Sequence, residues 1–185
     1  MVVGDGMGPE YITAYRNFKD DPNTPLVEKT VFDRHLIGLS STYPAPVSGY
    51  VTDSSAAATA LSTGVKTYND AVGIDANKVV LETVLERAKK LGYKTGAVVT
   101  SQVNHATPAS YIAHNEFRYN YNEIADSFIN EKINDQLKFD VLLGGGWKYF
   151  IRKDRNIVEE FKQLGAQYID DVKQLSTLNN QSPAI

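Results

Sequence analysis

Residues 52–60 have the composition of a phosphate-binding helix start. Thr52, Asp53 and Ser54 run directly into a stretch of small residues. Asp53 or Ser54 can cap a helix there, and the free backbone N–H groups of a helix start attract phosphate. A serine oxygen beside that phosphate could attack phosphorus, provided that a base or a metal ion activates it. Read alone, such a segment is more often a capped, alanine-rich core helix.

A second candidate is Asp5, which lies between two glycines in the segment 4–8. A carboxylate between glycines can reach a cation without crowding from neighbouring side chains. The alternative is a turn in which Asp5 bonds to its own backbone. For a motif this short, the turn is the more frequent outcome.

His105, Thr107 and Arg118 form a third group of candidates. Thr107 offers a neutral oxygen of the kind that Mg²⁺ accepts, and His105 could bind a metal or orient a bound water. The alternative is a helix that starts near Pro108 and that Thr107 caps. Arg118 could hold two phosphate oxygens with its guanidinium group, although most arginines are simply solvated. His114 is expected to have a structural or helix-dipole role.

The hydrophobic pattern predicts strands that alternate with helices. The predicted strands are residues 1–3, 36–39, 95–100 and 139–143. One predicted helix begins at Pro9, and three more cover residues 79–91, 121–133 and 157–164. This alternation is typical of an α/β fold with a mostly parallel central sheet flanked by helices.

In such a fold, polar and glycine-rich groups collect at one edge of the sheet. Asp5 follows the first predicted strand, and His105 and Thr107 follow the third. Gly144, Gly145 and Gly146 follow the fourth, but no Lys-Ser or Lys-Thr pair comes after them, so we interpret them as close backbone packing or a loop rather than a Walker loop. Ligands of open α/β sheets bind beyond the carboxyl ends of the strands, and this edge is therefore the expected site.

Composition excludes several classes of protein. Of the 185 residues, 42% are hydrophobic and 22% are charged, as in ordinary globular domains. A formal net charge of −3 argues against a dedicated nucleic-acid-binding module. Because cysteine is absent, disulfides and thiolate metal sites are impossible. No stretch is long and apolar enough to span a membrane.

Both ends of the sequence suggest part of a longer protein. Met1-Val2-Val3 looks like the end of a buried strand, and Ala184-Ile185 looks like the beginning of another. No signal peptide precedes the first predicted turn. We therefore expect residues 1–185 to be a segment of a larger domain.

Taken together, these segments resemble the alkaline phosphatase family. The motifs occur in the family's order and spread over most of the chain, and the Asp53-Ser54 string is the most specific of them. The matching segments are 4–8, 51–54, 58–60, 62–69, 105–109, 113–114, 118 and 143–146. The resemblance implies an alkaline phosphatase-like α/β fold, incomplete in this chain, with residues 1–185 as the amino-terminal part of its single catalytic domain.

The resemblance also implies roles for the residues that would bind phosphate. Ser54 matches the family's nucleophile, which becomes a phosphoserine. Arg118 matches the arginine that holds the substrate phosphate. Asp53 matches the neighbour that positions this arginine.

A second set of roles concerns metal ions, for which the resemblance implies two Zn²⁺ and one Mg²⁺. Asp5 matches a carboxylate that bridges a zinc site and the magnesium site, Thr107 matches a magnesium ligand, and Ser54 is expected beside a metal that favours its alkoxide. His105 stands where some members have an aspartate and others a histidine, which makes it the weaker metal ligand.

The implied activity is hydrolysis of phosphate monoesters to an alcohol and inorganic phosphate by an exported homodimer, periplasmic or secreted. The family's remaining zinc ligands come from a carboxyl-terminal half, and the three histidines here do not offer the expected pair. We therefore expect residues 1–185 alone to be inactive. The alternatives are a related hydrolase (a sulfatase, phosphodiesterase or phosphonate hydrolase), a non-catalytic phosphate- or metal-binding domain, and a structural α/β domain.

Overall fold

The computed structural model describes residues 1–185, which divide into two units, Met1–Ser41 and Thr42–Ile185. The first unit contains helices α1, Pro9–Lys19, and α2, Val31–His35. Pro9 begins α1 as predicted, because a helix start leaves its first N–H groups unpaired and proline has none to lose. The prediction of a single domain over the whole chain stays a prediction.

An ion pair joins the two helices of the first unit. The Nε atom of Arg16 donates to Oδ2 of Asp33 at 3.1 Å. Asp33 also completes a capping box with Thr30 at the start of α2. The Arg16 guanidinium holds the pKa of the Asp33 carboxyl well below its usual range.

The second unit contains six helices and four strands. The helices are α3 Ser54–Thr63, α4 Val84–Lys90, α5 Ala106–Ile112, α6 Tyr121–Asn130, α7 Trp147–Phe150 and α8 Ile157–Gln163. The strands are β1 Gly96–Gln102, β2 Lys132–Ile133, β3 Gln136–Leu137 and β4 Val141–Gly145. No helix of either unit has the length and apolar character needed to cross a bilayer.

The central sheet is parallel. In the β1–β4 pair, Gly96 lies opposite Val141 and Val98 opposite Leu143. Ala184 continues the parallel order, bridging Val141 on one side and residue 167 on the other, as predicted for the beginning of a strand. Parallel strands accompanied by helices confirm the predicted α/β class.

The core of the second unit lies between this sheet and the helices. Phe128, Phe139 and Phe161 are fully buried there, and the ring centroids of Phe139 and Phe161 are 5.8 Å apart at an interplanar angle of 73°. Edge-to-face contacts of this kind suit the quadrupoles of aromatic rings.

Two predicted strands are absent. Residues 1–3 and 36–39 are exposed and irregular, with Val2 and Ile37 fully accessible. A short apolar run forms a strand only where a neighbouring strand pairs its backbone groups. Neither segment has such a neighbour in the first unit, so both predictions were wrong.

Two predicted helices are shorter than expected. The helix predicted from residue 79 begins only at Val84, because Thr83 and Glu86 form a capping box there. The helix predicted to reach residue 133 ends at Asn130. Asn134 and Asp135 both have positive φ and turn the chain into the antiparallel β2–β3 hairpin, a turn signal that the helical periodicity concealed.

The remaining predictions are close to the structure. The strands predicted at 95–100 and 139–143 are found at 96–102 and 141–145, and the helix predicted from residue 157 begins at Ile157. Gly144 confirms close packing, since a Cβ atom there would lie 3.0 Å from the backbone oxygen of Ser101 and 2.6 Å from Cγ2 of Val99.

A cluster of charges ties the segment between β3 and β4 to helices α4 and α5 and to the end of α6. The ammonium of Lys138, which is 4% exposed, lies 2.6 Å from Glu86 in α4 and 2.5 Å from Glu131 after α6. It also donates to the carbonyl oxygen of Ile112, the last residue of α5, at 2.8 Å. All three N–H donors of Lys138 therefore have acceptors, which is the condition for burying a charge.

His114 adjoins this cluster. Its Nε2 lies 3.2 Å from Oε1 of Glu86, and its Nδ1 lies 3.3 Å from the carbonyl oxygen of Gly73. Burial, followed by the nearby Lys138 ammonium, lowers the pKa of His114, while Glu86 and Glu131 oppose that shift. A structural role for His114 was predicted, and this packing agrees with it.

Replacing Lys138 by methionine should strongly destabilise the second unit. Lys138→Met leaves the buried carboxylate of Glu86 and the partly exposed carboxylate of Glu131 without their cation, and we expect a loss of about 3–5 kcal/mol in the free energy of unfolding. Urea denaturation measures this. The matched control is Lys132→Met at an exposed position, which should change stability by less than about 0.5 kcal/mol. Equal effects of both variants would contradict the account.

Stability should also fall in mild acid because of His114. Its pKa is lower in the folded chain than in the unfolded chain, so the unfolded state takes up the proton first as the pH falls. The contribution is complete above a pH of about 6.5 and is lost as the pH falls below that value. Urea titrations at several pH values should show this slope, and His114→Gln should reduce it while His35→Gln leaves it unchanged. A slope that survives in His114→Gln would assign it to another group.

Candidate active site

Ser54 is the first residue of helix α3, and the aspartate before it creates that position. Oδ1 of Asp53 accepts a hydrogen bond from the backbone N–H of Ala56 at 2.8 Å, which confirms the predicted cap. Gly64, with φ of +78°, ends the helix in the left-handed conformation that glycine adopts most easily. Half-buried Ser54 thus lies among the free N–H groups of a helix start.

An ion pair between Asp53 and Arg118 lies beside this helix start. Nη1 of Arg118 donates to Oδ2 of Asp53 at 2.8 Å, although the residues are 65 positions apart in sequence. Arg118 is 7% exposed. Because a buried guanidinium is stable only when a partner compensates its charge, this contact fixes the segment around Arg118 against α3.

The guanidinium group of Arg118 is only partly satisfied by the protein. Nη2 lies 3.4 Å from Nε2 of His105, and the ring of Tyr119 lies 5.4 Å from Cζ. The Nε atom is buried without a hydrogen-bond partner in the chain. Unpaired buried donors are uncommon in native proteins and need an explanation.

His105 and Thr107 lie at the start of α5. The helix begins at Ala106, with His105 as its N-cap residue but without a side-chain capping bond. Thr107 is therefore the second helical residue and half-buried, so the alternative interpretation, in which it caps the helix, does not hold. Its role as a magnesium ligand stays a prediction. The backbone N–H of His105 donates to the carbonyl oxygen of Gln102, so β1 turns directly into the helix.

Asp5 belongs to the first unit. It lies in an exposed turn before α1, and Gly6 beside it has φ of +69°. Within the second unit, the structure brings together Asp53, His105 and Arg118, with Ser54 next to Asp53 in the chain.

Two groups of residues received no role from the sequence, one at this site and one away from it. Asn69 and Asp70 contact the Asp53–Arg118 pair; Asn69 belongs to a segment that was singled out by resemblance, but neither received a role. The ligand atoms of Glu86, His114 and Glu131 lie within 4.8 Å of one another, as in a metal site. The Lys138 ammonium binds both carboxylates, so we assign this group to the core and not to a metal.

A large cavity of the second unit lies away from the predicted residues. It has a volume of about 550 Å³ and is lined mostly by apolar side chains of β1, β4 and α8, none of which is a predicted site residue. Its lining offers no charged group to an anionic substrate apart from two carboxylates, Asp170 and Asp171. The chemistry therefore points to the start of α3 instead.

The fold and the site define an α/β domain with a serine at a helix start beside a buried arginine. Comparison with known families shows which domain this is: the model of the alkaline phosphatase family matches residues 1–184. The chain belongs to the alkaline phosphatase family.

Individual relatives agree. The chain is 51% identical over 182 residues to alkaline phosphatase 4 of Bacillus subtilis strain 168, and this match covers 98% of this chain and 40% of the relative. A cold-active alkaline phosphatase from a psychrophilic Shewanella sp. matches with a TM-score of 0.90 and 50% identity over 99% of this chain and 44% of that one. The alkaline phosphatase-like fold is thereby confirmed, and the chain spans less than half the length of these relatives.

A third relative is a histidine-to-aspartate variant of TAB5 alkaline phosphatase with Mg bound in the M3 site. Its structure matches with a TM-score of 0.70 and 32% identity, over 80% of this chain and 41% of that one.

Removing the Asp53 side chain should destabilise the chain more than neutralising it. Asp53→Ala leaves Arg118 without its carboxylate and removes the cap of α3, and we expect a loss of about 3–5 kcal/mol. Asp53→Asn retains a good capping residue and should recover about 1 kcal/mol of that loss. Urea denaturation of both variants measures the difference. Wild-type stability in Asp53→Ala would contradict the importance of the ion pair.

Proposed function

We propose that this chain is the amino-terminal part of the catalytic domain of a metal-dependent phosphomonoesterase, with Ser54 as its nucleophile. The observation that supports this most is the Asp53–Arg118 ion pair beside the first residue of α3. It combines a hydroxyl, the N–H groups of a helix start and a buried guanidinium, which together suit a phosphate dianion.

The reaction has two steps. Oγ of Ser54 attacks phosphorus and loses its proton, while the bond from phosphorus to the ester oxygen breaks and the alcohol leaves with a proton. Water then attacks the phosphoserine, which returns the Ser54 hydroxyl and releases inorganic phosphate. Each step transfers one phosphoryl group, and catalysis depends mainly on positioning and on charge stabilisation.

Arg118 is proposed to hold the phosphoryl group through both steps. The carboxylate of Asp53 occupies Nη1, whereas Nε has no acceptor within the chain. A phosphate oxygen beside the guanidinium would satisfy that donor and would offset the charge repulsion of an incoming nucleophile.

Asp5, Ser54, Thr107 and His105 are the residues that we propose would hold metal ions. Their donors are one carboxylate, two hydroxyls and one imidazole, the types that Zn²⁺ and Mg²⁺ accept. When bound, two Zn²⁺ and one Mg²⁺ would neutralise phosphate charge and favour the serine alkoxide. Nε2 of His105 already lies 3.4 Å from Arg118, which supports its ranking as the weaker ligand.

The residues of this chain would supply only some of the ligands that these metal ions need. Of the three histidines, His114 contacts Glu86 and Gly73 in the core and is not available as a ligand. We therefore expect residues 1–185 alone to be inactive and the complete polypeptide to be active. Phosphate monoesters are the proposed substrates, and a homodimer that is periplasmic or secreted is the proposed form.

Hydrolysis of a chromogenic aryl phosphate, with zinc and magnesium supplied, tests this function in the complete polypeptide. Ser54→Ala should lower kcat by about a thousandfold or more, because it removes the nucleophile. Ser55→Ala is the matched control, since its hydroxyl donates to the carbonyl oxygen of Ala71 inside the protein. It should reduce stability by about 1 kcal/mol but leave hydrolysis intact.

Three results would contradict the proposal. Equal turnover by wild type and Ser54→Ala would remove Ser54 from the mechanism. Phosphate binding without turnover in the complete polypeptide would identify a non-catalytic domain. Turnover of sulfate esters or phosphodiesters in preference to phosphate monoesters would place the protein with another class of hydrolase.

A further inference from the structure

The side chain of Asn69 forms hydrogen bonds with the backbone just before Ser54. Its Oδ1 accepts a hydrogen bond from the N–H of Asp53 at 3.0 Å, and its Nδ2 donates to the carbonyl oxygen of Val51 at 2.9 Å. Its own N–H donates to Oγ of Ser48 at 2.9 Å. One side-chain amide thus holds the backbone of two residues just before the proposed nucleophile.

Asp70 connects the two partners of the ion pair. Its N–H donates to Oδ2 of Asp53 at 3.1 Å, and its carbonyl oxygen accepts from the N–H of Arg118 at 2.8 Å. The same carboxylate oxygen of Asp53 accepts from Nη1 of Arg118. The side chain of one partner and the backbone of the other are therefore both fixed by the main chain of a single residue.

The backbone of Asp70 is in an unusual conformation. Its φ angle is +75°, in the left-handed region that residues other than glycine adopt rarely. This conformation accompanies both contacts, which use main-chain atoms and not the Asp70 carboxylate. Rare backbone conformations persist where surrounding contacts enforce them, and they concentrate at functional sites.

We propose that Asn69 and Asp70 form a clamp that positions Asp53 and Arg118 for phosphate. Asn69 and Asp70 act through Asp53 and Arg118 and are not among the groups proposed to contact the substrate, so both are positioning residues. Because Arg118 is the proposed donor to the bound phosphate, displacing its guanidinium weakens those charge-assisted hydrogen bonds, and we expect the clamp to affect phosphate affinity more than the rate of bond breaking. This inference rests on the proposed function.

Variants of each residue separate the clamp from general stability. Asn69→Ala removes both side-chain bonds of the clamp. Asp70→Val places a β-branched residue at a positive φ angle, whereas Asp70→Gly keeps the main-chain contacts and suits that angle. Asn77→Ala, at an exposed turn, is the matched control for Asn69→Ala.

The first measurement is steady-state hydrolysis of an aryl phosphate by the complete polypeptide, with competitive inhibition by inorganic phosphate. In Asn69→Ala and Asp70→Val, KM and the inhibition constant of phosphate should rise about tenfold, with kcat changed by less than about threefold. Asp70→Gly should restore both constants, and Asn77→Ala should keep them. A lower kcat with unchanged KM and inhibition constant would indicate lost folded protein and would overturn the clamp.

The second measurement needs no turnover. Hydrogen exchange of the Asp53 and Arg118 amides, read by NMR on the chain itself, should accelerate about tenfold or more in Asn69→Ala and Asp70→Val. Unchanged exchange would overturn the clamp. If wild type neither hydrolyses the ester nor binds phosphate, the proposed function fails; if wild type is active and the variants match it, only the clamp fails.

Discussion

The contact between Asp53 and Arg118 is the interaction on which the site depends. It joins residues 65 positions apart, and it buries a guanidinium that would be unstable without its carboxylate. The same carboxylate caps α3, which places Ser54 at the helix start. One charged side chain therefore holds both the start of α3 and the guanidinium of Arg118, and that guanidinium in turn lies 3.4 Å from Nε2 of His105 in the β1–α5 turn.

A comparison with Lys138, another buried cation of the second unit, shows how the hydrogen bonding of Arg118 differs. Lys138 has an acceptor for each of its N–H groups, two from carboxylates and one from a carbonyl oxygen. Arg118 retains a buried Nε without an acceptor. A fully satisfied cation stabilises the core, whereas a cation with a spare donor is prepared for a ligand. This contrast separates the core cluster, which resembles a metal site in its residue types, from the proposed phosphate site.

The helix cap at Asp53 and the fold class were predicted from the sequence better than the boundaries of the elements. The Asp53 cap and the α/β class follow from local chemistry and periodicity, which a short segment contains in full. The strands expected at residues 1–3 and 36–39 do not form, because pairing depends on neighbours that no local pattern reveals. The contacts of Asn69 and Asp70 with Asp53 were missed for the same reason, because they join residues 16 and 17 positions apart. In addition, Asp70 has a positive φ angle, which an aspartate in the sequence does not predict.

Mass spectrometry of the complete polypeptide, quenched by denaturation during turnover of a phosphate monoester, tests the central claim most directly. The account predicts a phosphoryl group on Ser54 that disappears once the substrate is exhausted. The adjacent Ser55, whose hydroxyl is bonded inside the protein, should remain unmodified. A phosphoryl group on any other residue, or rapid turnover with no phosphorylated Ser54 at any quench time, would contradict it.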